Sequence, residues 1–222
     1  MTNPKFFYAV AFLIYVQTLR LHYDLVRNVY GLPFSAYFLE FRYMTVWCMH
    51  IQFIYYSIQL YRVLFLKTHS QKISKTDSFI NYLRTTIVFP VAFFVTLLFW
   101  GLYSINPYLL ASKKKLEMTS HTVQHLLHTA PLVVQLLEGV LLNVPARFGR
   151  SKILTGQFIF QVLFVGNLFL FKGILGKFPY PVLDVIWAKS GVLFCAAAAF
   201  CIVPFYGLSR LCQKFYKFNK TV

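Results

Sequence analysis

The sequence is poor in acidic residues. Its 222 residues include only 6 Asp and Glu against 22 Lys and Arg, and charged residues of both signs make up 13% of the chain. Soluble domains contain about 25% charged residues and a smaller apolar share, whereas 58% of this chain is hydrophobic. This composition excludes an ordinary soluble domain and predicts a protein embedded in a membrane.

Cysteine is also scarce, and the few cysteines follow no pattern of paired metal ligands or disulfides. No glycine-rich phosphate loop is apparent, so nothing supports nucleotide binding. The formal net charge of +16 would suggest nucleic acid for a soluble protein, but the basic residues form no stripe interleaved with aromatics. We therefore expect membrane lipids, not nucleic acid, as partners of the basic residues, and the sequence indicates no protein partner.

Long apolar runs are abundant, and a helix needs about 20 such residues to cross about 30 Å of hydrocarbon. The sequence predicts six transmembrane helices, at residues 6–19, 43–61, 87–110, 121–144, 153–175 and 185–206. The fold class is therefore predicted to be all-α, a six-helix polytopic bundle that forms a single transmembrane domain over residues 1–222. The first run is short, but no small-residue cleavage site follows it, so we interpret it as a retained anchor.

The basic residues between the runs predict the orientation of the protein. If the N-terminus is cytoplasmic, the inner segments hold the larger share of the 22 Lys and Arg residues. The positive-inside rule then places both termini in the cytoplasm. The C-terminus matches no retention signal, so the sequence predicts an integral protein of either the plasma membrane or an endomembrane.

Most of the intramembrane polar residues lie in the fourth run, which contains His121, Gln124, His125, His128 and Glu138. An ionisable group inside a bilayer costs at least a few kcal/mol unless it is paired, so each such residue suggests a functional site. The spacing of four and then three residues places the three histidines on one helix face. This run is therefore the first candidate for the site.

A histidine face permits several interpretations. Because His121 and His128 lie about 10 Å apart along the helix axis, one ion could bind only an adjacent pair. No HExxH motif or second ligand cluster completes a site, so we expect neither a metal ion nor a cofactor. The histidines could instead hydrogen-bond between helices as structural contacts. Pro131 removes an amide donor and predicts an irregular helix beside His128.

Membrane depth links His128 to a hydroxyl on another helix. The loops before the second and fourth runs lie on the same side of the membrane because two spans separate them. Thr45 is about one turn into its span, at a depth comparable with that of His128. A hydroxyl beside an imidazole is the minimal unit for nucleophilic ester hydrolysis. The alternative is that Thr45 bonds the carbonyl four residues earlier, which is common in membrane helices and has no chemical role.

Three stretches of the chain resemble the androgen-induced-gene family of multipass membrane proteins, and the resemblance extends from about the second span to the sixth. They are Phe89-Pro90-Val91 with Phe94-Val95, Phe99-Trp100 and Tyr103; the run from Gln124 to Thr129 followed by Glu138; and Tyr180-Pro181-Val182-Leu183-Asp184. The chain departs from the family pattern at Leu126, where glycine is expected. It also departs at Lys172-Gly173, where a histidine-containing stretch is expected.

The resemblance implies a carboxylic ester hydrolase that acts inside the membrane on fatty acid esters of hydroxy fatty acids. It places the threonine nucleophile on Thr45 and the essential histidine on His128 rather than His125. Gln124 and His125 are candidate oxyanion donors by proximity, and Glu138 is expected to stabilise the fold or line the cavity. Two alternatives stay open: a non-enzymatic multipass receptor or scaffold, and a carrier or redox protein that uses the histidines.

Overall fold

The computed structural model describes residues 3–29, 31, 33–66, 75–110, 113–142 and 148–218, and the elements within these residues are helical. The predicted all-α class is therefore confirmed. The α-helices are α1 (Pro4–Asp24), α2 (Met44–Phe65), α3 (Lys75–Leu83), α4 (Phe89–Ile105), α5 (Lys113–Met118), α6 (His121–His128), α7 (Ala130–Leu142), α8 (Arg150–Leu175), α9 (Pro181–Lys189), α10 (Gly191–Phe200) and α11 (Ile202–Phe218). A 3-10 segment, Phe34–Arg42, precedes α2, and a π-helical turn, Arg84–Val88, joins α3 to α4.

Three helices in the described part of the chain are long and apolar enough to cross a membrane. They cover Lys75–Ile105, Arg150–Leu175 and Gly191–Lys214. The pair α6 and α7 makes a fourth candidate, although it bends by 48° at its break. These are the features of an integral multi-pass membrane protein. Helices α1 and α2 have 21 and 22 residues but do not meet the criterion for apolar composition, so the predicted count of six spans is not confirmed.

The helix ends depart from the predicted spans where local chemistry sets them. Pro4 occupies the first turn of α1, and the Asn3 side chain accepts a hydrogen bond from Lys5 N–H at 3.0 Å. These signals start α1 earlier than residue 6. Residue 185, the predicted start of the sixth span, lies in α9, and Ser190 follows α9 and caps α10 through Leu193 N–H at 3.2 Å. The predicted end of the fourth span, residue 144, lies outside the described residues.

Helix α2 lies at the centre of the bundle and packs against α1, α4, α6 and α7. Aromatic side chains fill much of the α1–α2 contact, where the Tyr15 and Tyr56 rings stack at 5.4 Å with 9° between their planes. Both rings are fully buried. Helix α2 thus contacts four helices, while side chains such as Ile54 and Ile58 stay exposed on its outer face.

Helix α8 lies very close to the π-helical turn at Gly156. A Cβ atom at this position would meet the Tyr82 hydroxyl and would lie 2.8 Å from Thr86 Cγ2. Both distances are too short for ordinary contact, so only glycine permits this approach of the two helices. The Tyr82 hydroxyl then reaches the Lys152 carbonyl oxygen at 2.9 Å and ties the two segments together.

Candidate active site

A cavity of about 470 Å³ lies between the start of α2 and helices α4, α6, α8, α9, α10 and α11. We call it the central cavity. Its walls are mainly Phe, Leu, Val and Ala side chains, and no Asp, Glu, Lys or Arg occurs among its described lining residues. The volume lies within the range of about 300–1,000 Å³ that is usual for sites of small ligands. The central cavity is therefore large enough for a ligand but offers it no charge.

His128 lines this cavity as the last residue of α6. Its Nδ1 lies 3.0 Å from the Gln124 carbonyl oxygen, and since a carbonyl can only accept, Nδ1 must carry the hydrogen. In the neutral ring, Nε2 is then the basic nitrogen. The imidazole stacks on Phe99 with the ring centroids 3.4 Å apart and the planes 5° from parallel. These two contacts fix both the tautomer and the orientation of the ring.

The bend between α6 and α7 follows directly after His128. Pro131 has no N–H group and crowds the preceding turn, and the helix breaks at Thr129, where the two halves meet at 48°. The irregular helix predicted from Pro131 is therefore confirmed. The break places His128 at a helix end, beside the open space of the central cavity.

Thr45 lies in the first turn of α2, is half-buried and also lines the central cavity. The Tyr180 hydroxyl accepts a hydrogen bond from Met44 N–H at 2.9 Å and is hydrogen-bonded to the Thr45 side chain. The Phe41 carbonyl, four residues before Thr45, already accepts from Trp47 Nε1 at 2.6 Å. The environment of Thr45 thus offers a tyrosine hydroxyl as hydrogen-bond partner.

Tyr180 itself lies between α8 and α9, outside the long apolar helices. Burial raises the pKa of Tyr180 well above the ordinary value for a phenol, so the group stays protonated at neutral pH. Sequence reasoning did not assign Tyr180 to the site. The signal was present, because the Tyr180-Pro181 step is one of the three stretches that carry the family resemblance.

Two glutamines on α8, Gln157 and Gln161, also line the central cavity and were missed. They are spaced i and i+4, so they share one face of the helix. Two amides on one face of an otherwise apolar span were visible in the sequence as a signal. Their hydrogen-bond partners on the last helices were not visible, because those contacts depend on the packing of the bundle.

The predicted site residues next to His128 in the sequence differ in whether they line the central cavity. Gln124 is buried and lines the central cavity. His125 is exposed and is not a lining residue; its Nδ1 lies 3.1 Å from Thr129 Oγ1, and its ring packs on Trp100 at 5.0 Å. His121, the third histidine of the predicted face, is exposed at the start of α6. Of the three histidines, His128 alone lines the cavity.

Glu138 lies in a separate buried group, which we call the carboxylate cluster: Glu138 with Tyr8, Tyr55, Tyr56, Gln59 and Arg84. The three tyrosine hydroxyls donate to the carboxylate at 3.0, 2.6 and 3.2 Å, and Arg84 lies 3.7 Å away. Glu138 is fully buried and is not among the residues that line the central cavity. Of the two expected roles, its position fits stabilisation of the fold.

The structure places no group of three or more His, Cys, Asp or Glu side chains in a metal-binding arrangement within its described residues. His50, the other histidine within a predicted span, has its Nδ1 2.8 Å from the Val46 carbonyl and packs on Phe41. It does not line the central cavity. The chemistry that the cavity itself offers is several hydroxyls, among them that of Thr45, with an oriented imidazole and three glutamine amides within apolar walls.

Comparison with known proteins places the chain in a family. The family model described as FAR-17a/AIG1-like protein matches residues 6–214. The androgen-dependent TFPI-regulating protein of Mus musculus is 26% identical over 167 residues, which cover 74% of this chain and 72% of that protein. No solved structure matches the chain.

Proposed function

The chain belongs to the FAR-17a/AIG1-like family, and from this premise we propose that it is an intramembrane threonine hydrolase that cleaves fatty acid esters of hydroxy fatty acids. The observation that carries the proposal is that Thr45 and His128, from different helices, line one uncharged cavity. A hydroxyl and an oriented imidazole that line the same cavity can form the minimal unit for acyl transfer.

We further propose that α1 and α2 cross the membrane, which gives six spans with both termini cytoplasmic. Helix α1 exposes large apolar side chains such as Phe6 and Leu13 together with the polar Lys5, Gln17 and Arg20, and α2 exposes Ile54 and Ile58. The polar residues that lower the hydropathy of α2, such as Gln52, are buried inside the bundle. Because lipid meets only the outer faces, these two helices are compatible with hydrocarbon despite their average composition.

In this mechanism, His128 Nε2 takes the proton of the Thr45 hydroxyl as Oγ1 attacks the ester carbonyl. The tetrahedral intermediate collapses, the hydroxy fatty acid leaves with the proton returned by His128, and an acyl-threonine remains. Water then attacks this second ester while Nε2 takes its proton, and the fatty acid is released as Thr45 is re-formed. The Gln124 carbonyl holds the required tautomer, and Tyr180 positions Thr45.

The walls of the central cavity suit this substrate. A branched ester with two acyl chains is dissolved in the bilayer, and apolar walls replace its lipid contacts at little cost. The uncharged lining also keeps water and ions from competing for the imidazole. We propose that the substrate enters laterally from the membrane, since this path avoids transfer through water.

The decisive experiment measures ester cleavage by the purified protein in lipid nanodiscs and compares Thr45→Ala and His128→Ala with the unmodified chain. Each variant should lower kcat by at least about 100-fold, because each removes a group that moves the reacting proton or forms the new bond. Thr96→Ala is the matched control, since the Thr96 hydroxyl donates to the Ala92 carbonyl within its own helix at 2.9 Å and does not line the cavity. This control should retain its activity.

Full activity of Thr45→Ala together with loss of activity in His50→Ala would show that the nucleophile is misassigned. If the unmodified protein cleaves no lipid ester at all, a non-enzymatic receptor or scaffold becomes the better interpretation. A visible absorption spectrum of the same preparation addresses the redox alternative, because bound haem absorbs strongly there.

A further inference from the structure

Gln157 holds its amide in one orientation. Its Nε2 lies 2.9 Å from the Phe205 carbonyl oxygen, 3.4 Å from the Thr86 carbonyl oxygen and 2.7 Å from Ser209 Oγ. The two carbonyl oxygens can only accept hydrogen bonds, so the NH₂ end of the amide must face them. The Oε1 atom therefore points away from these partners.

The side-chain oxygen of Gln157, Oε1, is a buried acceptor that lacks a donor among the described residues. The side chain is 2% exposed, and Oε1 has no hydrogen-bond partner in the part of the chain that the structure describes. Gln157 also lines the central cavity. A buried acceptor without a donor is costly, so this end of the cavity is suited to a ligand that brings an O–H group.

Gln161 lies one turn further along α8 and is half-buried. It also lines the central cavity, and its Nε2 donates to the Ala198 carbonyl oxygen. Both amide nitrogens are therefore anchored on the backbone of the last helices. The two amides together form what we call the glutamine floor: Gln157 and Gln161.

Gln157 lies nearer the start of α8 than the contacts that mark the level of Thr45. Asn167 Nδ2 reaches the Phe41 carbonyl at 2.9 Å, and Trp47 packs on Phe164 at 5.5 Å and on Phe160 at 5.9 Å. Gln157 is three residues from Phe160 and seven from Phe164, which corresponds to about 5 to 10 Å of helix rise. An extended chain covers this length in roughly four to eight single bonds.

We propose that the glutamine floor accepts a hydrogen bond from the free carboxyl group of the substrate, bound in its neutral form. This inference rests on the proposed function and names the part of the substrate that reaches the floor. In a fatty acid ester branched near mid-chain, a comparable run of methylenes separates the ester carbon from the carboxyl group. The cavity supplies no cation among its described lining residues, so a carboxylate would be buried without a counter-ion, whereas the protonated acid supplies the donor that Oε1 requires.

The test compares three substrates that differ only at this end: the free acid, the primary alcohol and the methyl ester of one mid-chain ester. The assay follows release of the branching fatty acid in nanodiscs. The free acid and the alcohol both carry an O–H donor, and each should exceed the methyl ester in kcat/KM by about tenfold. Gln157→Leu should reduce the ratio of free acid to methyl ester to about one.

Gln213→Leu is the matched control, since Gln213 also donates to a backbone carbonyl, that of Phe148 at 3.3 Å, but does not line the cavity. It should keep the tenfold ratio. If Gln157→Leu does not fold, the order of kcat/KM for the three substrates with the unmodified protein tests the proposal by itself.

Equal cleavage of all three substrates would overturn the role of the floor and leave the hydrolase proposal standing. A preference for the free acid over both the alcohol and the methyl ester would also overturn it, because that ranking indicates recognition of a charged carboxylate. Cleavage of none of the three would contradict the hydrolase proposal and this inference together.

Discussion

Helix α2 passes two buried polar regions that differ in one physical respect. At the carboxylate cluster, three tyrosine hydroxyls and Arg84 surround Glu138 within 3.7 Å. At the central cavity, His128 has a carbonyl on one nitrogen, a phenylalanine against its face and a cavity of about 470 Å³ beside it. In the carboxylate cluster, the titratable group is surrounded by hydrogen-bonding and charged partners. In the central cavity, the titratable group lies beside open space.

This difference teaches that an ionisable residue within a membrane protein does not by itself locate a site. Glu138 meets the same sequence criterion as His128, since both are titratable residues within an apolar span. Three tyrosine hydroxyls and Arg84 surround Glu138, and it does not line the central cavity. The space beside the residue, and not its charge, separates a structural group from a candidate catalytic one.

The largest expected effect is on folding, from Glu138→Leu. This substitution removes the acceptor of three tyrosine hydroxyls and the carboxylate beside the fully buried Arg84. Breaking a buried ion pair from one side costs about 3–5 kcal/mol. We expect little monodisperse protein by size-exclusion chromatography and a much lower thermal midpoint. Glu138→Gln keeps an acceptor oxygen and should be less damaging, and equal stability of Glu138→Leu and the unmodified protein would remove the contrast between the two regions.

A smaller effect, on catalysis alone, is expected from Tyr180→Phe. The change removes the hydroxyl that holds Met44 N–H and the Thr45 side chain, and kcat should fall by about tenfold as the nucleophile loses its position. Because burial raises the pKa of Tyr180, its hydroxyl stays protonated from about pH 6 to about pH 9. The ratio of kcat for the unmodified protein to kcat for Tyr180→Phe should therefore not vary over that range. Tyr108→Phe, at an exposed position, is the control; an unchanged kcat in Tyr180→Phe would exclude the positioning role.

The smallest effect is expected from His125→Ala. His125 is exposed and packs on Trp100 and Thr129, away from the lining of the central cavity. We expect less than about a twofold change in kcat, against the large loss in His128→Ala. A loss as large as that of His128→Ala would show that His125 takes part in the reaction, for example as the oxyanion donor suggested by its sequence position.

The sequence predicted those features that depend on neighbouring residues. The apolar run at 153–175 became α8, and Pro131 indicated the break beside His128. Counting spans also predicted that Thr45 and His128 could meet, and both residues line one cavity. The first two predictions follow from hydropathy and backbone donors, which are properties of short segments.

The remaining features depend on packing between distant segments and could not be predicted. Glu138 accepts a hydrogen bond from Tyr8, 130 residues away in the sequence, and Ser209 accepts one from the Gln157 amide, 52 residues away. Contacts of this kind become visible only when the bundle is assembled. Ser190 is a different case, because it caps α10 through Leu193 N–H three residues on and is therefore a local signal, which the predicted sixth span overlooked.

Gly156 carries a consequence for the selectivity of the cavity. It immediately precedes Gln157, and the missing side chain allows α8 to touch Tyr82 and Thr86. A larger residue at position 156 would push α8 away from Tyr82 and Thr86 at the turn that bears the glutamine floor. The distance from the floor to Thr45 would then change. On the proposed function, the Gly156 contact outside the cavity would then help to set the length of substrate that fits between the glutamine floor and Thr45.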